Sequence, residues 1–198
     1  MERLETKIDG LVLLAPKVFG DERGFFMETY RENVWAEHGI TGPFAQDNHS
    51  RSKRGTLRGI HFQTHPGQGK LVRVARGSVY DVAVDLRKGS PTFGEYEAFE
   101  LSDENGRQLW IPIGFGHGFC VTSEVADFVY KCTNYYDPAT EAGISFADPD
   151  VGIEWPQIEL LYSERDREAP RLADIADELP FTWKGAAAPS PHPRSRMQ

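Results

Sequence analysis

The stretch GTLRGIHFQTHPGQGK, residues 55 to 70, gathers groups that can do chemistry: His61 and His65, Arg58 and Lys70, with four glycines and no acid among them. A neutral imidazole, with an unperturbed pKa of about 6.5, can take up a proton at neutral pH or ligate a metal, whereas guanidinium and ammonium groups hold anions. The segment therefore reads three ways: part of a metal site, a phosphate cradle, or the basic wall of a cavity where a histidine acts without a metal. From Asn48 to Tyr80 there is no Asp or Glu, while Arg51, Lys53, Arg54, Arg58, Lys70, Arg73 and Arg76 all fall there. This local excess suits a small anionic ligand as well as a solvated basic face. The net charge of the whole chain is -8, which argues against a general nucleic-acid binder, because binding the phosphate backbone requires a positive field.

The metal reading depends on what else can converge on His61. In GRQLWIPIGFGHG, Gly106, Pro112, Gly114 and His117 carry the second cupin signature, and Gly55 with His61 begins the first. Metal-binding cupins continue the first signature with a second histidine and then a glutamate. Here Gln63 stands in the histidine's place and no acid follows before Asp81. His65 is followed by Pro66 and Gly67, which read as the end of the strand. A transition metal needs three or four converging ligands, so no metal is expected. His38, at the end of an expected helix, and His192, near the C-terminus, read as solvated, and Cys120 and Cys132 as buried thiols within apolar runs.

The elements that must position these groups are mostly strands. LVRVARGSVYDVAVDL alternates apolar and polar residues on both sides of Arg76-Gly77-Ser78, as two half-buried strands joined at a glycine turn would. FGEYEAFELS, RQLWIPIG, HGFCVTS and ADFVYKCTNYY continue the series, with SDENG as a turn. Short strands punctuated by Gly, Pro, Asn and Asp predict an all-β, antiparallel sandwich or barrel. RENVWAEHG, ending at Gly39, and PRLADIADEL predict two short helices. At 198 residues the chain is read as one domain over residues 1–185 and a Pro- and Ala-rich disordered tail over 186–198. No run of about eighteen apolar residues exists, and the charged N-terminus has too short an apolar run for a secretory signal, so a cytoplasmic protein is expected.

QDNHSRSKRGTLRGIHFQ, QGKLVRVARGSVYDVAVDLRKGSPTFG, LSDENGRQLWIPIGFGHGF, FVYKCTNYYDPATE and SERD resemble, in order and spacing, the dTDP-4-dehydrorhamnose 3,5-epimerases of the cupin superfamily. The resemblance runs from about residue 3 to about residue 180. It implies a cupin-type antiparallel jelly-roll barrel with a few short, mainly C-terminal helices. It also implies a cofactor-free isomerase that inverts C3 and C5 of a dTDP-4-keto-6-deoxy sugar. By the same resemblance His61 is the base, Asp166 the carboxylate paired with it, Tyr130 the proton donor, and Lys70 the cation near the enolate oxygen. Arg23, Glu28, Gln46, Asp47, Asn48, Arg58, His117, Glu141 and Arg165 would line the nucleotide-sugar site, with Tyr136 stacked on thymine. The family further implies a homodimer with exchanged N-terminal strands, in which Arg23 and Glu28 serve the partner's site.

Three other readings are weighed against this one. A mono-epimerase inverting only C3 or only C5 would use almost the same residues. A metal-dependent cupin oxygenase would need ligands that the chain lacks, and a non-catalytic sugar-binding cupin would have no use for His61, Lys70, Tyr130 and Asp166 together. No nucleic-acid or membrane partner is expected.

Overall fold

The computed structural model describes residues 1–185; the tail expected over 186–198 lies outside them. Chain order begins with β1 (Glu2–Leu4), β2 (Val12–Ala15), β3 (Val18–Asp21), β4 (Gly24–Met27), α1 (Glu32–Glu37), β5 (Gln46–Lys53) and β6 (Leu57–Gln63). It continues with β7 (Lys70–Arg76), β8 (Ser78–Asp85), β9 (Tyr96–Ser102), β10 (Gln108–Ile111), β11 (Phe115–Val121), β12 (Val125–Cys132) and β13 (Glu141–Gly143). The short helices α2 (Glu164–Arg167) and α3 (Leu172–Ile175) follow, the latter running into a 3-10 turn over Ala176–Glu178.

These strands form an antiparallel jelly-roll sandwich. One sheet has the order β1-β2-β10-β7-β12-β5, the other β13-β6-β11-β8-β9, and β3-β4 stands apart as a hairpin. Val72, Val74 and Phe128 from the first sheet pack with Ala83, Phe119 and Leu101 from the second to fill the space between them. Trp35 of α1 covers the outer face of the first sheet, against Leu14, Leu71 and Trp110.

The two strands around Gly77 do not pair with each other. β7 lies in one sheet and β8 in the other, so the glycine carries the chain across the sandwich. Its φ of +76° favours glycine, and a Cβ there would lie 2.1 Å from the Val125 carbonyl oxygen. β8 is also more buried than strict alternation predicts. Ile144, Phe146, Val151, Leu172 and Phe181 pack over its outward residues Val82 and Val84, which gives the strand two apolar faces.

A bulge in β6 shapes the cavity. His117 pairs with His61 and Phe119 with Arg58, so three steps on β6 oppose two on β11. With regular alternation Arg58 and His61 would face opposite ways; the extra residue turns both toward the interior cavity. Ile60 and Phe62 pack in the outer core instead, as expected of the neighbours of an inward histidine. Gly59 permits this, since its φ is +133° and a Cβ would meet Gly118 Cα at 2.4 Å.

Candidate active site

Between the sheets lies a cavity of about 560 Å³ whose walls include Arg58, His61, Lys70, His117, Tyr130 and Asp166. His61 comes from β6 in one sheet, and Tyr130 and Lys70 come from β12 and β7 in the other. The imidazole and the phenol thus belong to facing walls. An adjoining cavity of about 260 Å³ shares His61, Lys70 and Tyr130 and adds Gln46, Asn48, Gln63, Tyr136 and Glu141.

His61 Nε2 lies 2.6 Å from Asp166 Oδ1. Asp166 is held from behind: Ser163 Oγ caps α2 by accepting from the Asp166 backbone N–H at 3.1 Å. The segment leading into α2 is tied to β6, because Leu57 N–H donates to Leu161 O and Leu161 N–H to Gly55 O, both at 2.8 Å. Burial alone would raise the Asp166 pKa, but hydrogen bonds from His61 and Ser163 outweigh it and hold the carboxyl below its ordinary value.

A second pair lies deeper. His117 Nε2 is 3.0 Å from Asp81 Oδ2, and both residues are buried. Burial lowers the imidazole's pKa and raises the carboxyl's, so the interior disfavours charge on each. Asp81 was not singled out from the sequence. The available signal was an acid inside the otherwise apolar run of β8, which at that depth needs a partner.

Tyr130 sits beside Phe128, with ring centroids 5.8 Å apart. Burial, opposed by the Arg58 charge, raises its pKa and keeps the phenol protonated. Burial also lowers the Lys70 pKa, against the nearby Cys132, Glu141 and Asp81. A cation so poorly hydrated interacts strongly with a developing oxyanion.

The remaining expected residues divide. Tyr136 O–H and Arg165 Nη1 both reach Glu141 Oε2 at 2.7 Å, and Gln46 Oε1 accepts from Tyr136 N–H at 2.8 Å, forming one polar group at the mouth. Gln46 also donates to Asn48 Oδ1 at 2.9 Å. Asp47 turns to the opposite face of β5 by strand alternation and pairs with Lys131 Nζ at 2.8 Å. Arg23 and Glu28 are not brought to this chain's cavity either. Arg23 tips the β3-β4 hairpin, paired with Asp21, and Glu28 pairs with Arg31. Among the described residues no three His, Cys, Asp or Glu side chains are grouped to hold a metal ion.

The family described as dTDP-4-dehydrorhamnose 3,5-epimerase matches residues 5–174. The dTDP-4-dehydrorhamnose 3,5-epimerase of Salmonella typhimurium is 54% identical over 172 residues, covering 85% of this chain and 94% of that protein. The dTDP-4-dehydrorhamnose 3-epimerase of Streptomyces niveus is 43% identical over 195 residues, covering 95% of this chain and 94% of its own. In structure, the chain is similar to the Legionella pneumophila dTDP-6-deoxy-D-glucose-3,5-epimerase in complex with dTDP-4-keto-L-rhamnose. The TM-score is 0.90 at 49% identity, covering 93% of this chain and 99% of that one.

Proposed function

The chain belongs to the dTDP-4-dehydrorhamnose 3,5-epimerase family, and on that premise we propose a division of labour among the residues around its cavity. The protein is an isomerase that converts dTDP-4-dehydro-6-deoxy-D-glucose to dTDP-4-dehydro-L-rhamnose by inverting C3 and C5. Both carbons flank the C4 ketone, so loss of either proton yields an enolate, and return of a proton to the other face inverts the centre. The chemistry asks for a base, an acid opposite it and a positive group at the ketone oxygen, and for no cofactor.

The observation that carries the assignment is that His61, hydrogen-bonded to Asp166 at 2.6 Å, shares the cavity with Tyr130 of the facing sheet. His61 takes the proton from carbon. Asp166 fixes its tautomer and stabilises the imidazolium. Tyr130 returns a proton from the opposite face, and Lys70 with Arg58 stabilises the enolate oxygen. Tyr136 stacks on thymine while Glu141, Arg165, Gln46, Asn48 and His117 line the nucleotide sugar.

The protein works as a homodimer in which the β3-β4 hairpin reaches the partner's cavity with Arg23 and Glu28. Support comes from the hairpin itself, which leaves Phe25 65% and Phe26 66% exposed and pairs with neither sheet. Asp47, whose carboxylate pairs with Lys131, contributes at the rim through its backbone. Residues 1–185 act as one catalytic unit, and we place it in the cytoplasm; among the described residues no helix is long and apolar enough to cross a membrane.

Incubation with the 4-keto-6-deoxy nucleotide sugar in heavy water tests the reading. Deuterium at both C3 and C5 is expected. Label at one carbon only would reassign the chain to the mono-epimerases, and none at either would remove the catalytic proposal.

A further inference from the structure

Gln63 occupies the place where a metal-binding cupin has its second histidine, and its side chain is engaged elsewhere. It is buried at 6% exposure. Its Nε2 donates to the Asp137 carbonyl at 2.9 Å, and its Oε1 accepts from Asp137 N–H at 3.1 Å and from Thr140 Oγ1 at 3.3 Å. Both lone pairs of the amide oxygen and one N–H are thus committed to the loop between β12 and β13. An imidazole has only two ring nitrogens and could not make all three bonds.

The loop so held carries Tyr136 one residue before Asp137 and leads into Glu141. Its grip on β6 and the following turn is extended on both sides. Thr64 N–H donates to Thr140 O at 2.8 Å, Gln68 Nε2 to Asn134 O at 2.8 Å, and Asn134 Nδ2 to Gly67 O at 2.7 Å. Gln63 is the one side chain of this seam that stands on the same strand as His61, two residues away and on the same face. It lines the smaller cavity together with Tyr136 and Glu141.

We infer that Gln63 is a positioning residue for substrate binding: it fixes the Tyr136 loop to the strand bearing the base, so that a nucleotide seated on the loop sets the sugar at the right distance from His61. The inference rests on the proposed role of Tyr136 and Glu141 at the nucleotide end. Its physical content is preorganisation. A loop already held in its bound form loses less entropy when dTDP arrives, and removing the hold weakens affinity without touching the groups that move protons.

Gln63→Met keeps the length of the side chain and removes all three bonds. Titration calorimetry with dTDP, and steady-state kinetics with the dTDP sugar, should then show Kd and KM raised about tenfold and kcat within about twofold. In a Tyr136→Ala background the same substitution should add little, because the loop's ligand-bearing ring is already gone. A residue that merely supported the fold would lower kcat and the active fraction and add its full effect in both backgrounds. If Gln63→Met does not fold, Thr140→Val removes a single bond to Gln63 and should raise Kd by about two- to threefold. Unchanged dTDP affinity, a fall in kcat alone, or full additivity with Tyr136→Ala overturns the inference. Inactivity of the wild type toward the dTDP sugar would instead strike the proposed function, while the calorimetric comparison would still decide the role of Gln63.

Discussion

Two histidine-aspartate pairs lie side by side on adjacent strands, and the acid reaches its imidazole by a different route in each. His117 and His61 are register partners across β11 and β6. Asp81 meets His117 from β8, the strand next to β11, so that pair is completed within one sheet. Asp166 meets His61 from α2, a short helix that arrives after both sheets are built. The side chain of His61 remains 27% exposed while that of His117 is at 8%. The difference teaches how one hydrogen-bond type serves two ends. An acid supplied from inside the sheet gives a buried ring its hydrogen-bond partner, and an acid supplied from outside leaves a ring open to substrate with a charge behind it.

The largest expected effect falls on the exposed pair. His61→Asn should reduce deuterium uptake at C3 and C5 by about a thousandfold or more, followed by NMR, because a positioned base contributes about 10² to 10⁴ in rate. Exchange at the wild-type rate would mean that another group is the base. For the deep pair the effect should appear in stability. Asp81→Ala leaves the buried His117 ring without its hydrogen-bond partner at a cost of about 1 to 3 kcal/mol. A Tm lower by roughly 2 to 12 °C in a thermal melt is expected. Unchanged Tm would show that the deep pair is not structural and erase the contrast.

Asp166→Asn is milder in rate. Loss of a charge-assisted hydrogen bond of about 1.5 to 3 kcal/mol predicts kcat lower by roughly ten- to a hundredfold, with Tm near neutral pH lower by a few degrees. The smallest effect is in acid. Hydrogen bonds from His61 and Ser163, overcoming burial, hold Asp166 below its unfolded pKa of about 3.9. Its contribution to stability is therefore complete above that value and fades as pH falls through the lower folded one. Wild-type Tm should drop more steeply than that of Asp166→Asn below about pH 4; parallel curves would show that Asp166 carries no such shift.

The sequence made some of this legible and not the rest, for reasons that can be traced to particular residues. The strands from β7 to β12 follow from alternation and glycine turns, and α1 ends beside Gly39, whose φ of +82° favours the residue found there. His61 could be read as inward because Ile60 and Phe62 flank it and claim the outer core. Alternation is silent on which sheet a strand joins, so the crossing at Gly77 and the covering of β8 by residues 144–181 needed coordinates. The companionship of Arg58 and His61 depends on a bulge, and a bulge breaks the period on which strand reading relies. Asp166 could be paired with His61 only through family resemblance, since contact across so many residues leaves no local pattern. Gln63 showed only what it lacked, the second histidine of a metal site, and nothing of the loop that it holds.

The late position of α2 also has a meaning in time. Protein synthesis proceeds at about 5 to 20 residues per second, so His61, Lys70 and Tyr130 leave the ribosome seconds ahead of Asp166. The nascent molecule therefore passes through a stage in which the imidazole is present and nothing steers it. Any product of premature termination ahead of residue 164 stays at that stage. On the proposed roles, catalytic competence is thereby coupled to synthesis of the chain through α2.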